Sequence, residues 1–287
     1  MKKIVLLIIT LLCVSGCSIK RDVLENITIY TTDYPTEYIT NYLYGENSNI
    51  KSIYPNEVNI EDYTLNNKQI KDYSKANMFI FNGLTKEKDY LTDMFTYNKD
   101  LMIIDATQTM EYDNNNKELW LDPSNFLMMS LNIKNGLLEY ISNHYLKKEI
   151  EEKYDELKIN ISNIDAKLKL LSESSNNKTI ITDDSSLKFL EKYGFEVMSL
   201  EENDDLNDKI ISDVINNIEN GTNTYIYSFD KDNLNDTVKN IISSYPTVQI
   251  LELNNISNLT ENQRNNKDDY VTLTNENIDL LKNELYK

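Results

Sequence analysis

KKEIEEKYDELKINISNIDAKLKLLSE, residues 147–173, contains neither glycine nor proline. Within it Ile150, Tyr154, Leu157, Ile161, Ile164, Leu168 and Leu171 recur at spacings of four and three, which marks one face of a single helix. At a rise of 1.5 Å per residue such a helix reaches roughly 40 Å, longer than an ordinary globular helix needs to be. The heptad period also suits a coiled-coil dimer. What lies on either side favours a connector running along two lobes of one chain.

Before the helix, Asn26-Ile27-Thr28-Ile29-Tyr30-Thr31-Thr32 alternates and is β-branched, as a first strand should be. A helix is expected after Pro35, and further strands over Ile50–Tyr54, Met78–Phe81 and Leu101–Ile104, the last two ending at Asn82-Gly83 and Asp105. Beyond the long helix the pattern restarts. Strands are expected at Thr179–Thr182, Phe195–Leu200, Tyr225–Tyr227 and Val248–Leu251, with helices over Ser185–Lys192 (closed by Gly194), Leu206–Ile218 and Tyr270–Tyr286. Strands alternating with helices argue for parallel sheets covered on both faces. The expected fold is α/β: two β/α lobes with central, mainly parallel sheets joined by one long rigid helix. The N-terminal lobe is placed over 27–146, the helix over 147–174 and the C-terminal lobe over 175–287.

The chain opens with Lys2-Lys3 and an apolar run from Ile4 to Val14, too short to stay across a bilayer. It reads as a signal peptide over 1–16. Val14-Ser15-Gly16-Cys17 resembles a bacterial lipobox, which implies cleavage before Cys17, a diacylglycerol on its sulfur, and a polar tether over 17–26. Cys13 leaves with the signal, so no free thiol, disulfide or thiolate metal site is expected in the mature chain. The formal charge of −18, with Arg21 and Arg264 the only arginines, disfavours nucleic acid as a partner. Six scattered glycines offer no phosphate-cradling loop.

Glu118-Leu119-Trp120-Leu121-Asp122-Pro123 holds the only tryptophan beside two carboxylates at a helix entrance. Trp120 is as compatible with a packing anchor as with a pocket rim. This stretch, together with Asp62-Tyr63, Lys68-Gln69-Ile70, Ala76–Gly83, Tyr193-Gly194, Leu253-Asn254, Asp269-Tyr270 and Asn277, resembles the solute-binding lipoproteins of metal-ion ABC importers, the zinc and manganese family, over about Cys17 to Leu285. The resemblance implies a divalent metal ion, manganese or zinc, as transported ligand and an ABC permease as partner. It also implies a lipid-anchored monomer on the extracytoplasmic face of the cell membrane. The family's ligands are three histidines and a carboxylate, whereas this chain has one histidine, His144, which matches none of those positions. The first position falls on Glu61, the second on Glu118, the third on Asp184 or Asp183, and the fourth on Ser257.

Oxygen donors turn such a site away from zinc and toward a harder ion. Carboxylates gathered without a cation raise one another's pKa and need an ion, protons, a basic partner or wide spacing. Two functions compete: cation capture for import, and a family member without metal binding that serves as a surface scaffold, in adhesion or toward another ligand. An enzyme ranks third, because no nucleophile, histidine base or cofactor motif accompanies the carboxylates.

Overall fold

Alternating burial along Ile27–Thr31 makes it a half-covered strand, and Asp33 stops it by capping the next helix, accepting a hydrogen bond from the Thr36 backbone at 2.8 Å. The computed structural model describes residues 24–84, 86–111 and 118–286. The signal peptide and Cys17 lie outside the described residues.

The first half runs β1 (Ile27–Thr31), α1 (Tyr34–Tyr44), β2 (Ser48–Ser52), α2 (Asn67–Tyr73), β3 (Met78–Phe81), α3 (Glu87–Tyr97) and β4 (Met102–Asp105). Its strands pair in parallel in the order β2-β1-β3-β4. Two helices follow, α4 (Pro123–Tyr140), capped by Asp122 with Pro123 in its first turn, and α5 (His144–Ser174). The second half runs β5 (Thr179–Thr182), β6 (Glu196–Ser199), α6 (Asp208–Glu219), β7 (Tyr225–Ser228), α7 (Asp236–Ser244), β8 (Gln249–Glu252), α8 (Glu261–Asn266) and α9 (Tyr270–Leu285). Its sheet repeats the order as β6-β5-β7-β8, again parallel.

The long helix, read over residues 147–173, extends from His144 to Ser174. Its seam residues Ile150, Leu157, Ile161, Ile164, Leu168 and Leu171 are buried within this one chain, against α1, α4 and α9. One apolar core runs from β1 and β3 through α4 and α5 to β5 and α9; Phe126 and Tyr270 stack inside it at 3.8 Å. Separate clusters fill the far face of each sheet.

Two local expectations shift. The second strand lies at Ser48–Ser52, not Ile50–Tyr54, because Ile53 and Tyr54 are buried in the core beyond the ladder. The segment expected as a helix from Ser185 is instead a 3-10 turn over Lys188–Tyr193, ended by Gly194 in a left-handed conformation with φ 95°.

Candidate functional site

A four-stranded parallel sheet of this order has its switch point beside its first strand, and ligands of such sheets sit outside the carboxyl ends of the strands there. Both sheets present those ends to one cleft of about 800 Å³. From the first half come Glu57 and Glu61 in the loop after β2, Glu87 at the start of α3, and Glu118 before α4. From the second come Asp183 and Asp184 after β5, Glu201 and Glu202 after β6, Asp230 after β7, and Glu252 at the end of β8. Ten carboxylates therefore face one amine among the lining residues, Lys86, whose Nζ donates to the Glu61 carbonyl at 2.5 Å. Lys231, outside the lining, pairs with Glu252 at 2.8 Å; the remaining excess of carboxylates gives a lining whose charge favours cations over anions.

The return segment after β8 forms the remaining wall and ties it to the first half. Tyr34 donates its backbone N–H to the Ser257 carbonyl at 2.8 Å, and Asn258 Nδ2 donates to the carbonyls of Pro55 and Val58 at 2.8 and 3.0 Å. Trp120 Nε1 donates to the Asn255 carbonyl at 2.6 Å. Arg264 forks onto Glu37 at 2.7 and 2.9 Å and also binds Asn56.

Glu61, Glu118, Asp183, Asp184, Ser257 and Trp120 all line this cleft. Trp120 does so while only 2% exposed, as a packed anchor at the base. His144 is exposed at the first turn of α5 and lies apart from the cleft. Glu118 and Asp184 interact through space. Burial first, and then the charges of Asp184 and Glu61, push the Glu118 carboxyl above the ordinary range, against a hydrogen bond from Ser186 Oγ at 3.0 Å. Burial likewise raises Asp184, opposed by the Ser186 N–H at 2.7 Å, and lifts Asp183 to about 7 despite its bond from Ser228. These acids share a cleft without forming a cage: among the described residues no three His, Cys, Asp or Glu side chains group closely enough to hold a metal ion.

Glu57 and Glu87 of the first half line the cleft without having been singled out from the sequence, and Asp33 is a further buried acid, after β1 and outside the lining. Glu87, 1% exposed, accepts a hydrogen bond from the Tyr54 hydroxyl and leaves Oε2 without a partner. Asp33, 2% exposed, uses Oδ1 as the α1 cap and leaves Oδ2 unpartnered. Burial lifts Glu87 to about 7 and Asp33 to about 6, and the two repel. No spacing rule reveals them; only the NG turn before Glu87 marks the place.

Glu87 ionises near 4.5 when unfolded and near 7 when folded, so between those values the native state holds the extra proton. Its contribution to stability is complete below about pH 4.5 and is lost as pH rises through 7. Glu87→Gln is therefore expected to stabilise the protein at pH 8 by about 2 kcal/mol and to flatten the fall in stability between pH 5 and 8. Urea unfolding followed by circular dichroism at both pH values checks this; an unchanged slope with pH would assign the titration to other groups.

The family described as ZnuA, zinc-uptake complex component A, periplasmic, matches residues 29–284. No curated protein sequence matches the chain. Among solved structures, the metal-dependent lipoprotein YcdH from Bacillus subtilis superposes with a TM-score of 0.76 at 16% identity, covering 91% of this chain and 100% of that one. The Zn(II)-bound ZnuA-like domain of Streptococcus pneumoniae AdcA gives 0.74 at 18% identity with the same coverage. The laminin-binding protein Lbp of Streptococcus pyogenes gives 0.71 at 13%, covering 91% and 99%. At these identities the structures establish the shared two-lobe α/β fold.

Proposed function

The chain belongs to the ZnuA family of periplasmic metal-uptake components, and on that premise we propose that it captures a divalent cation in the cleft between its two sheets and hands it to an ABC permease. The family consists of transport components, not enzymes. The observation that carries the reading is the placement of Glu61, Glu118, Asp183 and Asp184 on one cleft, at the strand ends where parallel sheets bind their ligands. With oxygen donors alone, the ion favoured is a hard one such as manganese, ahead of zinc. Cys17, lipidated, would hold the protein at the outer face of the membrane; among the described residues no helix is long and apolar enough to cross it.

Calorimetric titration of the chelator-treated protein with manganese, zinc, calcium and magnesium tests this. Saturable one-site heat with manganese is expected, and Glu118→Gln and Asp184→Asn should each weaken it by about tenfold or more, as loss of a charged ligand does. Silence with all four ions would overturn the proposal. One observation favours a second reading, a family member whose cleft has taken up a different ligand: the absence of a close three-donor group among the described residues.

A further inference from the structure

We propose that the cleft accepts an extended organic polycation of the linear polyamine class, its ammonium groups spread along carboxylates of both sheets. The inference rests on the reading of the cleft as the capture site for a solute, and goes beyond it in the chemistry of that solute. A bare ion needs several oxygens within about 2.6 Å of one point. The cleft instead distributes its acids over a space of about 800 Å³, within the range of small-molecule sites. Ammonium groups separated by methylene chains meet such a distribution without drawing the acids together.

The acids are also short of donors. Glu87, 1% exposed in the cleft wall, has Oε2 unpartnered, and across the cleft so do Asp183 Oδ1 and Glu201 Oε2. Buried acceptors without partners are costly, and each ammonium of a polyamine brings two or three N–H donors together with the charge the site lacks. Lys86, the single lining amine, is already bonded to a backbone carbonyl. Val58, Leu84 and Phe229 also line the cleft and offer apolar surface for the methylenes.

Titration of the purified protein with putrescine, spermidine and spermine, and separately with magnesium and manganese, at roughly 150 mM salt to screen diffuse attraction, tests the idea. Saturable one-site binding is expected for spermidine, tightening with the number of ammonium groups and stronger for putrescine than for magnesium, an ion of equal charge. Glu201→Gln and Glu87→Gln should each weaken spermidine by about fivefold, the size of one charged hydrogen bond. Spermidine heat without manganese heat supports the polyamine and removes the hard-metal assignment. Manganese heat without spermidine heat overturns the polyamine and leaves cation capture standing. Spermidine heat that both substitutions leave unchanged, or that disappears at this salt, is diffuse attraction to an acidic surface and overturns the proposal, as does silence from every titrant, which removes cation capture as well.

Discussion

Trp120→Ala is expected to remove about 4 kcal/mol of stability, the middle of the usual range for a large aromatic deleted from a core. Trp120 is among the largest fully buried side chains and belongs to the core that runs through both halves. Its backbone carbonyl accepts a hydrogen bond from the Tyr270 hydroxyl at 2.5 Å, and its indole N–H reaches Asn255 in the return segment. A cavity here therefore loosens α9 and the return segment together. For a chain of this size the melting temperature should fall by roughly 8 to 16 °C, read by circular dichroism because the variant has no tryptophan to follow. Trp120→Phe keeps most of the burial and loses the indole bond, so its cost should be about 1 to 2 kcal/mol. A loss under about 1 kcal/mol for the alanine variant would contradict the packing described.

Arg264→Met carries the second large effect. Glu37 is 12% exposed at its side chain and receives both arms of the guanidinium, which also lies 5.8 Å from the centre of the Tyr34 ring. Removing the arginine strands a mostly buried carboxylate, so about 3 kcal/mol should be lost. Glu37→Gln in the same chain should recover much of that, and the cycle of single and double variants isolates the pair. Urea midpoints at low and high salt complete the measurement. Strong salt sensitivity would show an exposed, screened pair instead of the fork.

The elements most legible in the sequence are those whose pattern is local. Met78–Phe81 and Thr179–Thr182 are short apolar runs buried on both sheet faces, and they form strands with those bounds. The seam of α5 stood out for its length and spacing. Ile53 and Tyr54 misled because apolarity reports burial and not pairing: both are buried, yet the ladder ends at Ser52. In the site, Glu61, Glu118, Asp183 and Asp184 could be named through a family pattern. Glu87 and Glu201 could not, since what marks them is an acceptor oxygen left without a partner, which only the assembled chain displays.

The return segment bears on when the molecule becomes competent. Glu37 and Arg264 are separated by 227 residues, and the Trp120 indole and its acceptor by 135. During synthesis β1 to β4 precede the wall made by Asn255, Ser257 and Asn258, which follows the last strand of the second sheet. The cleft is thus complete only after both sheets have been made. A chain cut before Asn255 lacks that wall and the Arg264 fork that ties it to Glu37, so its cleft is incomplete.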